Sequence, residues 1–132
     1  MGSRQAVAAL AVVALGGCGG KSALKPSGCV RVFFNARAQG TATAAQIRAV
    51  GDRPESFRHK LVSYRFISRR QALARMRRRY PYLVHRMPFN PFPAAFEATP
   101  GSVDYGRELV DALTPRPPGV HAVRYSRTQR RC

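Results

Sequence analysis

The sequence predicts an α+β sandwich of the ferredoxin-like, split β-α-β kind: a four-stranded antiparallel sheet with an inserted helix and an aromatic, proline-rich lobe. Three observations predict it. Four short segments alternate apolar and polar residues at the period of a strand. Two capping boxes, Thr43 with Gln46 and Ser68 with Gln71, open helices behind the first two of those segments. The second and fourth segments also end alike, as Tyr64-Arg65-Phe66-Ile67-Ser68 and Val123-Arg124-Tyr125-Ser126, so one β-α-β unit echoes the other.

The elements follow in order. Residues 1–17 read as a signal peptide: Arg4 supplies the positive charge and residues 6–15 are an unbroken apolar run, too short to span a membrane. Leu15-Gly16-Gly17-Cys18 has the form of a bacterial lipobox, which would cleave before Cys18 and place lipid on its sulfur. The plainer reading is an ordinary secretory signal with Cys18 incidental, but the small residues before Cys18 and the glycines after it favour the lipobox. Residues 18–28, rich in Gly, Ser and Lys, form a tether, and the domain proper is 29–132. Its first strand spans 29–35, with Val30, Val32 and Phe34 on one face. Thr43 opens a helix carrying Ile47 and Val50, and Gly51 with Pro54 should stop it.

Residues 60–67 make strand two, with Val62, Tyr64 and Phe66 opposite Ser63 and Arg65. Ser68 opens a helix to about 79, on which Leu73, Met76 and Tyr80 should face the core. Three prolines within 88–93 forbid helix and withhold three backbone donors, so that segment is an extended loop. It feeds strand three, where Phe96 and Ala98 alternate with Glu97 and Thr99 as in a half-buried strand. Ser102 caps a third helix to about 113 with Val103, Val110 and Leu113 as its apolar stripe, and Val120 begins strand four.

Composition bounds the function. The 132 residues carry 23 Lys and Arg against 6 Asp and Glu, a formal charge of +17, while 45% hydrophobic content is ample for a core. His59, His85 and His121 lie in different elements without metal-ligand spacing, and no nucleophile elbow or phosphate loop occurs. Asp104, Glu108 and Asp111 share a helical stripe, but among so many arginines a solvated, ion-paired face explains them better than acid–base chemistry. Catalysis, a cofactor, a metal and a small-molecule substrate are therefore not expected.

Two runs carry a family resemblance. Asn90-Pro91-Phe92-Pro93-Ala94-Ala95-Phe96-Glu97 resembles the Asn-Pro-Leu-Pro-Ala-Ser-Phe signature of the extracellular domain of FtsX, the permease-like cell-division protein. Arg65-Phe66-Ile67-Ser68-Arg69-Arg70-Gln71-Ala72-Leu73-Ala74-Arg75 is similar to that family's Arg-Tyr-Val-Ser-Arg-Glu-Gln-Ala-Leu-Ala-Arg run. The departure is charge: Arg70 and residues 77–79 stand where the family commonly places acids. The resemblance covers Val30 to Tyr125 and implies a lobe at about 79–93 that contacts a peptidoglycan hydrolase, or an adaptor for one, through that partner's helical region. Full-length FtsX spans the membrane several times, whereas nothing after the signal segment here is long and apolar enough to do so.

Two surfaces are candidate sites. In the lobe, Tyr82, Met87, Phe89 and Phe92 are candidate partner-binding residues, with Phe89 and Phe92 expected to be the most exposed aromatics. The plainer alternative, closure over the sheet, suits Leu83 and Phe96. The second surface is the basic face of Arg70, Arg75, Arg77, Arg78 and Arg79. Nucleic acid is not its expected partner, since an exported protein rarely meets one; anionic lipid headgroups or envelope polymers are, and the plainer alternative is a solvated face that follows from an arginine-biased composition. Finally, once Cys18 is assigned to lipid, Cys29 and Cys132 remain as a possible disulfide in an oxidising compartment. Strand four should end beside the start of strand one, against the alternative of a frayed terminal thiol.

Overall fold

The computed structural model describes residues 24–37 and 40–132; the signal segment and Cys18 lie outside the described residues. Four strands, β1 (Cys29–Phe34), β2 (Leu61–Ile67), β3 (Ala95–Pro100) and β4 (Val120–Ser126), form one sheet in the order β2-β3-β1-β4, all neighbours antiparallel. This is the expected α+β, split β-α-β arrangement. Helices α1 (Ala44–Ser56) and α4 (Val103–Ala112) cross between parallel strands. Helix α2 (Arg69–Arg79) and a short helix α3 (Pro81–His85) are inserted between β2 and β3.

The core lies between the sheet and α1 with α4. Val30, Val32 and Phe34 of β1 meet Phe96 and Ala98 of β3, and Val50, Leu109 and Leu113 close over them. Phe34 and Phe66 each set a ring obliquely against Phe96, with centroids 5.5 and 5.2 Å apart. Both capping boxes form. Gln46 N–H donates to Thr43 Oγ1 while Thr43 N–H donates to Gln46 Oε1, and Ser68 and Gln71 repeat the exchange.

Several expectations are corrected. Helix α1 runs through Gly51 and Pro54 to Ser56. Gly51 is a notch rather than a stop: a Cβ there would stand 2.8 Å from Phe96 Cζ, and its carbonyl accepts from Tyr64 Oη at 2.9 Å. Pro54 is fully buried, so packing offsets the helix bond its ring removes in the last turn. All six residues of β3 are buried, because it is a central strand covered on both faces. Leu109 of α4 and Leu113 at its C-cap are the fully buried side chains, while Val103 and Val110 are only partly covered. The acids Asp104, Glu108 and Asp111 are exposed, and the first two pair with Arg107 and Lys60.

A second notch joins α4 to β4. A Cβ on Gly106 would lie 2.4 Å from Tyr125 Cζ, on a ring whose hydroxyl donates to Ser27 O at 2.8 Å. Gly106→Ala should therefore destabilise the domain by about 2 kcal/mol despite the better helix propensity of alanine. Denaturant unfolding checks this; an unchanged or higher midpoint would show that the ring yields freely.

Candidate docking lobe

The far face of the sheet holds one acid among many bases. Glu97 is only 3% exposed and accepts from Arg75 Nη1 at 2.7 Å and from Arg65 Nη2 and Nε at 2.9 and 3.0 Å, with Arg31 Nε at 3.4 Å. Burial alone would raise the carboxyl, but hydrogen bonds and charge from Arg75 and Arg65 outweigh it and hold Glu97 below the usual carboxylate range. Arg75 thus leaves the predicted basic surface: it turns inward and ties α2 to β3. Glu97 was missed as a site residue. The available signal was its isolation, since it is the only acid between Glu55 and Asp104.

This clamp lays α2 along the far face without burying any of its residues fully. Leu73 and Met76 are half-buried, and Tyr80, expected in the core, is 43% exposed. Between α2 and the sheet runs an open groove of about 350 Å³, floored by Phe33, Ile67, Ala72, Met76, Phe92 and Ala95, with Arg31, Arg75 and Arg79 along it.

The two sequence runs that carry the family resemblance lock onto each other here. Arg69 Nη2 donates to Asn90 O at 2.7 Å and its Nε to Phe92 O at 3.2 Å. Asn90 Nδ2 returns a bond to Arg69 O at 2.9 Å, and its Oδ1 accepts from Phe92 N–H at 3.0 Å. Three prolines leave the loop short of donors, so the side chains of Arg69 and Asn90 supply bonds that a ladder would have supplied.

On this brace the lobe presents its aromatics, and it is not wholly irregular as expected. Pro81 at the first position starts α3, where its missing N–H costs nothing. Val84 is buried beneath, whereas Tyr82 is 67%, Leu83 54% and Phe89 52% exposed. Leu83, assigned to closure over the sheet, instead faces solvent. Phe92, expected beside Phe89 as most exposed, is half-buried in the groove, and Met87 is half-buried against a recess lined by Arg77, Val84 and His85. Arginines roof the exposed rings: Arg86 over Tyr82 at 4.7 Å, Arg79 over Tyr80 at 5.5 Å and Arg37 over Phe89 at 5.3 Å. Arg70, Arg77, Arg78 and Arg79 remain exposed, and no acid occurs from Ser56 through Phe96.

At the other end of the sheet, Cys29 and Cys132 are joined, with Cα atoms 4.8 Å apart. Among the described residues no three His, Cys, Asp or Glu side chains are grouped to hold a metal, and no helix is long and apolar enough to cross a membrane.

A comparison with curated proteins finds no match. The model of the FtsX extracellular domain family matches residues 29–129, which takes in every strand and helix described above. That family suggests an extracytoplasmic module related to cell division. By its sequence and by the split β-α-β sheet with its inserted lobe, this chain belongs to the FtsX extracellular domain family.

Proposed function

We propose that this protein is a non-enzymatic interaction module that docks a peptidoglycan hydrolase, or an adaptor for one, through its lobe. The observation that carries the reading is the set of Tyr82, Leu83 and Phe89, each more than half exposed on a segment braced by Arg69 and Asn90. Aromatic anchors that are already fixed lose little entropy on docking, and their arginine neighbours suit a partner helix that carries acids beside its apolar stripe.

Envelope extract passed over the protein should yield a wall hydrolase or its adaptor. Tyr82→Ala, Leu83→Ala and Phe89→Ala together should weaken that capture by roughly 2 kcal/mol or more with little change in melting temperature. A large fall in melting temperature would show these side chains to be core, and the docking reading would fail.

The second reading is a basic lipoprotein that binds anionic envelope polymers through Arg70, Arg77, Arg78 and Arg79, which are exposed on an acid-free stretch. Salt separates the two, since polyanion binding collapses as ionic strength rises and apolar docking persists. Under either reading the protein is held at the outer face of the cytoplasmic membrane by lipid on Cys18. Wild-type protein should incorporate labelled fatty acid and Cys18→Ala should not; absence of label from the wild type would remove the lipid anchor.

A further inference from the structure

We propose that the end of the sheet where the chain enters, together with the C-terminal segment strapped across it, is a docking surface for an anionic phospholipid bilayer. The inference deepens the membrane part of the reading above and rests on it; the lobe is not involved.

The strap is held by four contacts. Cys132 is bonded to Cys29, its N–H donates to Thr99 Oγ1 at 3.2 Å, Gly28 N–H donates to Arg130 O at 3.2 Å, and Arg31 Nη1 donates to Gln129 Oε1 at 3.0 Å. These fix a short segment, which would otherwise fray, directly beside the residues through which the chain arrives. The strap exposes Arg127, Arg130 and Arg131; Lys25 is exposed on the entering segment and Arg124 on the adjoining strand.

Among the described residues, ion pairs engage Arg31, Arg58, Lys60, Arg65, Arg75 and Arg107, and none engages these five cations. The acids at this end, Asp104 and Glu108, share a recess with Lys25 and are paired with Arg107 and Lys60. Between β1 and β4 lies an open recess of about 440 Å³, lined by Arg31, Phe33, Arg124 and Tyr125. An excess of uncompensated guanidinium on one fixed surface complements phosphate headgroups.

Position argues for a bilayer. Lys25 lies seven positions after Cys18, at most about 25 Å of extended chain, so lipid on Cys18 holds this end near the headgroups. Basic residues held within that reach add an electrostatic attraction to an anionic surface.

The test uses the full chain with phosphatidylcholine vesicles, with and without phosphatidylglycerol. The ratio of the two partition coefficients cancels any apolar contribution of the N-terminal segment. At low ionic strength it should exceed about tenfold, and Arg127→Gln with Arg130→Gln and Arg131→Gln should cut it at least about fivefold. Removing equal charge from exposed arginines that have no part in either basic surface, with Arg48→Gln, Arg53→Gln and Arg116→Gln, should leave it within about twofold. An unchanged ratio in the strap variant, or an equal loss in the control variant, overturns the proposal. Hydrogen exchange on the wild type serves where a variant misfolds: anionic vesicles should protect residues 24–28 and 126–132, and protection confined to the lobe overturns it as well. Hydrolase capture is measured without vesicles, so failure there leaves this result readable.

Discussion

Replacing both cysteines of the bridge, Cys29→Ser with Cys132→Ser, should lower the stability of the domain by about 3–4 kcal/mol. The bridge spans 103 residues of sequence, and constraining the unfolded chain over such a loop is worth up to about 4.7 kcal/mol on the chain-entropy model. The unbridged native state recovers part of this, because the terminal segment then frays with only a few hydrogen bonds to hold it. For a domain near 100 residues the loss amounts to a fall of roughly 15–25 °C in melting temperature. Calorimetry with and without reductant measures it, and a shift of only a few degrees would show that the bridge constrains little. Alkylation before reduction gives an independent check. Cys29 and Cys132 should resist labelling, and two labelled thiols at these positions would rule the bridge out.

Glu97→Gln should cost about 3 kcal/mol, at the low end for removing one partner of a buried ion pair. It leaves three guanidinium groups facing one another, and their partial exposure of 28% for Arg31, 55% for Arg65 and 43% for Arg75 lets water relieve some of the repulsion. The same carboxylate should give the wild type an acid-sensitive limb. Its folded pKa lies below the unfolded value of about 4.3, so its contribution is fully present above that value. The contribution is lost as pH falls from there through the folded pKa. Denaturant midpoints measured from neutral pH down to acid should therefore decline more steeply in wild type than in Glu97→Gln. Parallel declines would mean that Glu97 does not titrate differently in the folded protein. Because Arg75 links this carboxylate to α2, acidification should also loosen the groove beneath that helix.

Sequence alone determined the elements whose signals are local. The capping boxes at Thr43 and Ser68, the alternation in four strands and the prolines at 88, 91 and 93 act over a few residues, so their outcome is written in neighbouring side chains. The strand order followed because a split β-α-β pairing leaves few ways to close a four-stranded sheet. The tertiary structure decided what depends on which surfaces meet. Glu97 read as the solvent side of a half-buried strand, yet Arg31 of β1, Arg65 of β2 and Arg75 of α2 close over it, since a lone carboxylate draws in guanidinium groups from three separate elements. Gly51 and Pro54 carried the local signature of a helix end, but the close approach of Phe96 and the burial of Pro54 rewarded continuing the helix. In the lobe, composition announced a crowd of aromatics without assigning them. The bonds exchanged by Arg69 and Asn90 hold Phe92 in the groove, while Tyr82, Leu83 and Phe89 face water, because a residue some twenty positions away sets the course of a loop with few bonds of its own.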